Sequence, residues 1–490
     1  MNRTPARRRI DLVRIATETM TERGLEPEFG AAVAAQLASI GGPGGDADPR
    51  IADLRSLPWC SIDNDDSRDL DQLTACEPLA GGAIKVFIAV ADVDVLVGKG
   101  SAIDDHARFN TTSVYTAARI FPMLPERLST DLTSLNPGQE RLAIVTTMLV
   151  GADAGVTQPT VQRALVHNKA KLAYDALSAW IDGQGALPAA AAAVPGLDAQ
   201  LRTQDEAAQR LRARRHAEGA LEFETLQPRA VYEGERVVEI CQQVQNRARQ
   251  LIEELMIATN RATAQFLAEH GGASLRRVVR SPERWQRIVA EARKYGEALP
   301  KEPDSRALEG FLAKRRKADP LRFPDLSLVI VKLMGSGEYV VELPGAAPIG
   351  HFGLAVRDYT HSTAPNRRFP DLITSRLLKA VLASSEPPYS VAELTALAAH
   401  CSQQEDAAQK VERKLRKCEA ALLLESHVGQ RYDAIVTGRN DHNTWVRTLA
   451  PPVEGMLTGR APELDIGQRV EVKLVSTDVE RGFIDFEFLH

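Results

Sequence analysis

The feature that most constrains the fold of this chain is a cluster of aspartates that stands before an apolar strand. Residues 61–71 hold five aspartates among eleven residues, and the apolar run 85–92 (KVFIAVAD) is dense enough for a strand buried on both faces. Two carboxylates about 4 Å apart repel by roughly 4 kcal/mol at an effective dielectric of 20, so several converge only around a cation or with bound protons. The cluster is therefore either an exposed loop of Asx turns or a cation site on a rigid strand.

The spacing of the cluster excludes one kind of cation site. Counted from Asp63, the turn glycine of an EF-hand would stand at Arg68, and the bidentate glutamate would stand at Thr74. Magnesium is the natural partner, with Mn²⁺ as the alternative, because Mg²⁺ prefers oxygen ligands and often bridges to phosphate.

Composition limits the class of protein further. The 490 residues suggest about three domains, and the net charge of −5 excludes a uniformly basic nucleic-acid-binding module. The five cysteines are scattered without a Cys-x-x-Cys pair, which fits a reducing compartment. Asp11 and Arg14 interrupt the apolar core of any signal peptide, and no stretch approaches the roughly 20 apolar residues of a membrane span. We expect a cytoplasmic protein without a membrane partner, and a monomer without a small-molecule cofactor.

Hydrophobic periodicity predicts an α+β protein in three parts. Residues 1–45 carry two helical patterns separated at Gly24, which predict a helix-turn-helix-like unit. Residues 46–428 form a large core with a mixed sheet and helices, including a long helix over about 240–270. Residues 429–490 predict a closed five-stranded barrel of the OB type. The first helical pattern places Ile10, Val13, Ala16, Thr17 and Met20 on one stripe, and the barrel strands are predicted over 432–437, 444–449, 453–457, 469–475 and 482–488.

Several motifs resemble one known family. The spacing Asp63-x5-Asp69-x-Asp71, followed by the strand VFIAVADV, resembles the RNB catalytic domain of the ribonuclease II and ribonuclease R family. Further segments of the family pattern follow in order: FPMLPERLSTDLTSLNPGQER from Phe121, NKAKLAYD from Asn168, EELMIATN from Glu253, HFGLAVRDYTHSTAPNRRFPDLITSRLL from His351, and GQRYDAIV from Gly429. The resemblance covers roughly residues 55–490, and its barrel resembles the ribosomal S-one type of RNA-binding OB fold.

The resemblance implies a magnesium-dependent exoribonuclease of RNA decay and processing. Such enzymes hydrolyse single-stranded RNA processively from the 3′ end and release nucleoside 5′-monophosphates. By position, Asp63, Asp69 and Asp71 are implied to form the metal and water site, together with Gln72 as the neighbouring ligand. Arg367 is implied to contact the phosphate beside the scissile bond, where a planar fork of donors suits developing oxyanion charge.

Four further residues match positions that the family uses to recognise RNA. Tyr115 and Phe223 are implied to clamp the terminal bases, because aromatic faces stack on any base. Tyr174 and Glu253 are implied to favour ribose, since a phenol and a carboxylate can bond the 2′-hydroxyl.

The chain departs from the family pattern at three places. Gln72 replaces a fourth aspartate, and an amide oxygen can coordinate magnesium without compensating its charge. Ala364 and Asn366 replace more usual residues beside Arg367. The two cold-shock domains common in bacterial relatives do not fit into about 45 mostly helical residues. The change at Gln72 leaves open an alternative, a weak or inactive RNB-fold protein that binds and protects RNA 3′ ends.

Overall fold

The computed structural model describes residues 9–46, 48–224, 228–234, 236–242, 245–270, 272–440, 442–459 and 464–489. Its α-helices are α1 Arg9–Glu22, α2 Ala31–Ser39, α3 Ala102–Asn110, α4 Tyr174–Ile181, α5 Ala189–Ala192, α6 Leu197–Ala217, α7 Arg247–His270, α8 Trp285–Lys294, α9 Ser305–Ala318, α10 Phe323–Met334, α11 Phe369–Ala383 and α12 Val391–Leu424. Its strands are β1 Ala52–Asp53, β2 Cys60–Asp63, β3 Gln72–Pro78, β4 Ile84–Ala91, β5 Val114–Tyr115, β6 Ile120–Phe121, β7 Glu140–Val150, β8 Val156–His167, β9 Ala170–Ala173, β10 Pro228–Glu233, β11 Arg236–Gln242, β12 Ser274–Val278, β13 Glu338–Glu342, β14 Arg431–Arg439, β15 Thr444–Thr448, β16 Glu454–Thr458, β17 Arg469–Asp478 and β18 Phe483–Phe488. The predicted α+β class is confirmed.

A seven-stranded mixed sheet organises the large core. Its order is β1-β8-β7-β4-β3-β2-β9, in which β1/β8 and β2/β9 are parallel pairs and the remaining neighbours are antiparallel. Strand β4 lies at the centre, and its residues Phe87 and Ala89 pack into one apolar cluster while Ile88 and Val90 pack into another. The prediction of a strand buried on both faces is therefore confirmed.

Helices cover both faces of this sheet. Buried side chains of α2, α3, α11 and the first half of α12 complete the cluster on one face. Side chains of α4, α6 and α7 complete the cluster on the other face. The loop between β2 and β3 carries the aspartates. It consequently lies between the side of the sheet that α11 covers, called the α11 side below, and the side that α7 covers, called the α7 side.

The N-terminal helices join two different clusters. Leu12, Ile15 and Met20 of α1 pack with the second half of α12, the β10–β11 hairpin and the barrel, whereas Val33 of α2 packs on the sheet. The predicted boundaries at residues 45 and 428 remain predictions.

The predicted stripe of α1 is confirmed in part, because Ala16 and Met20 are buried as predicted. The centre of the buried stripe is Leu12, Ile15 and Met20, while Val13 and Thr17 are only half-buried. Apolar residues lie at neighbouring positions along this helix, so the approach of α12 and the barrel decides which stripe is buried. The side chain of Ile10 lies outside the described residues.

The C-terminal strands close a barrel in the order β14-β15-β16-β18-β17, as predicted. An ion pair between Arg447 of β15 and Asp325 of α10, 2.5 Å long, holds the barrel against the helical layer.

The long predicted helix begins at Arg247, because residues 236–242 form the second strand of a hairpin instead. None of the described helices combines the length and apolarity that a membrane crossing requires.

Candidate active site

The aspartate loop begins where β2 ends at Asp63. The carboxylate of Asp63 accepts hydrogen bonds at Oδ1 from the backbone N–H of Asn64 at 2.7 Å and from the hydroxyl of Ser67 at 3.0 Å. Lys171 of β9 secures the same loop, since its ammonium donates to the backbone carbonyls of Asp65 at 2.8 Å and Ser67 at 2.7 Å. Burial raises the pKa of Asp63, so its ionised form gains from any nearby cation.

Asp71 is the most enclosed carboxylate of the loop. Its side chain is 2% exposed and accepts the backbone N–H of Asn366 at 2.9 Å and Nε of Arg367 at 3.2 Å. Burial raises the pKa of Asp71 to about 7, with Arg367 lowering it and Asp69 raising it. The segment just before α11 therefore supplies both a backbone donor and a cation to one buried acid.

Tyr115 is brought to the loop from the β5–β6 hairpin. Its hydroxyl donates to Oδ2 of Asp69 at 3.0 Å, and its backbone N–H donates to Glu412 of α12 at 3.0 Å. Besides burial, the charges of Arg367, Asp69 and Asp71 all act on the pKa of the Tyr115 hydroxyl. The predicted aromatic residue thus lies at the aspartate loop, and the ring remains 39% exposed.

Tyr174 approaches the loop from the opposite side. It begins α4 directly after Ala173, which pairs with Asp63 across β2 and β9. The guanidinium of Arg249, on α7, lies 4.5 Å from the centre of the Tyr174 ring, and its Nη2 donates to Oδ1 of Asn64 at 2.8 Å. Burial and then Asp63 raise the pKa of Tyr174 above its ordinary value, which keeps the hydroxyl a donor.

Gln72 follows Asp71 directly and is the first residue of β3. Side chains alternate along a strand, and Leu73 packs into the cluster on the α11 side while Thr74 donates to Gln204 of α6 at 2.7 Å. Gln72, two residues before Thr74, therefore lies on the face that α6 and α7 cover, where it is 8% exposed.

The other two predicted residues lie further from the aspartates. Glu253 follows Arg249 by one helical turn on α7, accepts Nε2 of Gln245 at 3.0 Å, and lies 3.8 Å from Arg215. Phe223 packs against the apolar cluster of α8, α9 and α10. Within the described part of the chain, no ring contact joins Phe223 to Tyr115, so their joint role as a clamp stays a prediction.

The aspartates fit a magnesium ion that is held by one or two carboxylates. Among the described residues, one set of three histidine, cysteine or acidic side chains has its ligand atoms within 4.8 Å of one another, namely His216, Glu222 and Glu309. Glu222 is already paired with Arg316 at 2.6 Å, which compensates its charge. The loop aspartates are spread more widely, and Mg²⁺ characteristically takes one or two carboxylates and leaves its other positions to water and phosphate.

Four residues at this site were missed by sequence reasoning. They are Lys171, Arg249, Glu412 and the backbone of Asn366. Each reaches the aspartates or their contacts from more than one hundred positions away along the chain. Lys171 and Asn366 lie in segments of the family pattern, which assigned them no role, whereas no such segment contains Arg249 or Glu412.

Two family models match the chain. The model described as RNB domain matches residues 51–384, and the model described as RNase II-type exonuclease C-terminal S1 domain matches residues 430–489. Ribonuclease R of Vibrio cholerae is 30% identical over 483 residues, covering 89% of this chain and 57% of that protein. The chain therefore spans little more than half the length of this curated relative.

Solved structures share the fold. Mycoplasma genitalium RNase R in complex with ribose-methylated single-stranded RNA superposes with a TM-score of 0.88 at 20% identity, over 98% of this chain and 78% of that one. Yeast Ssd1, a pseudonuclease, superposes with a TM-score of 0.72 at 17% identity, over 94% of this chain and 57% of that one. Because the same fold occurs in a nuclease and in a pseudonuclease, activity has to be argued from the site.

Proposed function

Because the chain belongs to the RNB-domain family, we propose that it is a processive, hydrolytic 3′-to-5′ exoribonuclease for single-stranded RNA that releases nucleoside 5′-monophosphates. The observation that carries the proposal is the contact of Asp71 with Arg367, which joins residues 296 positions apart at one loop. Asp63 and Asp69 lie on the same loop, and Tyr115 contacts it directly. The relatives named Ribonuclease R, and the solved complexes of Mycoplasma genitalium RNase R with single- and double-stranded RNA, support RNA as the ligand.

Arg367 is the proposed phosphate ligand. Its pairing with Asp71 uses Nε, so among the described residues the two Nη nitrogens remain available to a phosphoryl oxygen, and the side chain is 44% exposed. Asp71 orients the guanidinium, because its own oxygens are held by Arg367 and by the backbone of Asn366. Charge developing on the phosphate during hydrolysis would thus meet a donor that is already in place.

Asp63, Asp69 and Asp71, with Gln72 as a neutral ligand, are the proposed holders of the divalent cation. A bound Mg²⁺, or Mn²⁺ as the alternative, would activate the attacking water and neutralise phosphate charge. Burial raises the pKa of Asp63 and of Asp71, and an approaching cation would favour their ionised forms, so cation binding would release protons.

Two tyrosines are proposed to place the last two nucleotides. The exposed ring face of Tyr115 would stack on a base and hold the chain end beside Asp69. The hydroxyl of Tyr174 would bond the ribose 2′-hydroxyl. Glu253, on α7, is the proposed second partner of the same 2′-hydroxyl. Phe223 is proposed to close the base clamp from the side of α8–α10.

The barrel is proposed to capture the strand before it reaches the catalytic loop. OB folds bind single strands through grooves and stacking surfaces. Residues 429–490 hold seven basic and ten acidic residues, so the contacts would depend on local donors and on rings such as the half-buried Trp445 rather than on net charge.

The proposal is tested with 5′-end-labelled poly(A) and Mg²⁺. Nucleoside 5′-monophosphates are expected to accumulate from the first turnover, while the 5′ label passes from full-length RNA to short end products without intermediate lengths. RNA that stays intact but tightly bound would contradict the activity, and products shortened from the 5′ end would contradict the direction.

A second candidate function follows from Gln72. The neutral side chain removes one charge from the proposed metal site, and the fold also occurs in a pseudonuclease. In this alternative the chain binds and protects RNA 3′ ends. Wild-type turnover near zero that rises sharply in Gln72→Asp would favour protection over degradation.

A further inference from the structure

We propose that Arg249 is a second phosphate-binding residue of the site, which holds the backbone phosphate next to the one that Arg367 contacts. The proposal deepens the proposed function, on which it rests. The family resemblance carries no role for Arg249, and its place is visible only in the folded chain.

The position of Arg249 is rigid. Its backbone N–H donates to the side chain of Asn246 at 3.0 Å, which caps the first turn of α7, and Asn246 donates in turn to Asp175 at 2.7 Å. Asp175 stands next to Tyr174 at the start of α4. The starts of two helices are thus tied together, and Arg249 and Tyr174 keep a fixed separation.

The guanidinium of Arg249 lies at the aspartate loop. Its Nη2 donates to Oδ1 of Asn64 at 2.8 Å, directly beside Asp63, and its centre is 4.5 Å from the ring of Tyr174. Besides burial, the charges of Asp63, Arg249 and Arg367 all act on the pKa of the Tyr174 hydroxyl. The two arginines therefore belong to one electrostatic neighbourhood, although one comes from α7 and the other from the segment before α11.

The ligand that fits this arrangement is the phosphodiester backbone. The penultimate ribose of an RNA chain carries the scissile phosphate on its 3′ side and another phosphate on its 5′ side. If Tyr174 contacts this sugar, Arg249 at the Tyr174 ring and Arg367 at Asp71 can reach one phosphate each. Arginine suits this role because its planar fork matches phosphate oxygens, and Gln72 on the α7 side adds no negative charge that would repel them.

The experiment combines an arginine substitution with a neutral linkage in the RNA. Binding of a 5′-labelled oligo(A) is measured by fluorescence anisotropy in the Asp71→Asn background, which suppresses degradation, with and without Arg249→Gln. Each of the last four phosphates is replaced in turn by a methylphosphonate, which carries no charge. The cycle of protein and RNA changes isolates the coupling between Arg249 and one linkage.

We expect Arg249→Gln to weaken binding by about tenfold to a hundredfold and to reduce the slope of log affinity against log salt by about 0.7. One internal methylphosphonate should cost a similar factor with Arg249 present and almost nothing in Arg249→Gln. Arg249→Lys should recover part of the affinity, since it keeps the charge without the fork.

Arg247→Gln is the matched control. Arg247 lies on the same helix, but its side chain pairs with Asp205 at 2.7 Å, away from the loop. Its substitution should leave the binding and the salt slope unchanged, while the melting temperature of every variant reports folding. A change of RNA-to-DNA preference in Arg249→Gln with an unchanged salt slope would overturn the proposal, because it would mean that Arg249 acts only through Tyr174.

The outcomes also separate this inference from the proposed function. Coupling to one linkage in a protein whose wild type hydrolyses no RNA would uphold Arg249 as a phosphate ligand and defeat the exoribonuclease proposal. If the protein hydrolyses poly(A) but the effects of Arg249→Gln and of the methylphosphonate are fully additive at all four linkages, only the role of Arg249 is wrong.

Discussion

The two sides of the aspartate loop hold charge in different ways. On the α11 side, the buried carboxylate of Asp71 meets the guanidinium of Arg367 and a backbone N–H. On the α7 side, Gln72 is neutral, and Arg249 contacts an amide oxygen and an aromatic ring. One side thus joins opposite charges, and the other brings a cation to an aromatic ring and an amide.

This difference indicates how substitutions should act. Removing one partner of a buried ion pair leaves the other charge uncompensated, which costs about 3–5 kcal/mol. A contact between a cation and a neutral group is worth less, about 1–3 kcal/mol. We therefore expect the α11 side to control the chemical step and the α7 side to control cation affinity and the choice of substrate.

The largest effect is expected for Asp71→Asn on the α11 side. The amide can still accept the backbone N–H of Asn366, but it no longer orients Arg367 by charge. Single-turnover hydrolysis of labelled poly(A) should fall about a thousandfold, because a preorganised electrostatic group is lost. Binding of the same RNA, followed by anisotropy, should change less than about threefold.

Asp65→Asn is the matched control for this change. Asp65 lies on the same loop with an exposed side chain, and its contact with Lys171 is made by the backbone carbonyl. Hydrolysis in this variant should stay close to that of the wild type. If Asp71→Asn lost binding in proportion to hydrolysis, the two sides would not divide chemistry from recognition as described.

The next effect is expected for Gln72→Asp on the α7 side. A carboxylate at this position adds one charge near the proposed cation site, so the Mg²⁺ concentration for half-maximal binding should fall about tenfold. Isothermal titration with Mg²⁺ measures this directly, independently of turnover. Gln72→Asn shortens the side chain without adding charge and should not increase the affinity; an equal gain in both variants would show that charge is not the cause.

The sequence analysis predicted those elements of the fold whose hydrophobic pattern lies within a single segment of the chain. Strand β4 alternates so that Phe87 and Ile88 enter different clusters, and the barrel strands carry the same alternation with turn residues between them. On α1 the predicted stripe included Ala16 and Met20 but missed Leu12 and Ile15, since the buried stripe is chosen by α12 and the barrel. A local pattern thus predicts an element, and its partner decides the face that is buried.

The two sides of the site differ in the same way. Arg367 and Asp71 stand in motifs with fixed spacing, so the resemblance could assign them roles before any fold was known. Arg249 reaches Asn64 from 185 positions away and carries no motif of its own. The α7 side could be recognised only once α7 was packed on the sheet.

A smaller effect is expected for Tyr174. Tyr174→Phe keeps the ring beneath Arg249 and removes the hydroxyl, whereas Tyr174→Ala removes both. Both variants should reduce the ratio of RNA to DNA hydrolysis by about fivefold to tenfold, because the 2′-hydroxyl loses one partner. Rates on RNA and DNA of one sequence measure this ratio. A narrowed ratio in Tyr174→Ala alone would assign the preference to the position of Arg249 instead of to the phenol.

The smallest effect is expected for Lys171→Met, which loosens the loop without touching either side. The ammonium of Lys171 holds the carbonyls of Asp65 and Ser67, and its loss should lower the free energy of unfolding by about 1 kcal/mol. Hydrolysis should fall only twofold to threefold, with the RNA-to-DNA ratio and the Mg²⁺ affinity shifted together. Lys169→Met, at a residue bonded to His167 instead, is the control. If Lys171→Met changed the Mg²⁺ affinity alone, the loop would be coupled to the α7 side, and the two sides would not respond independently.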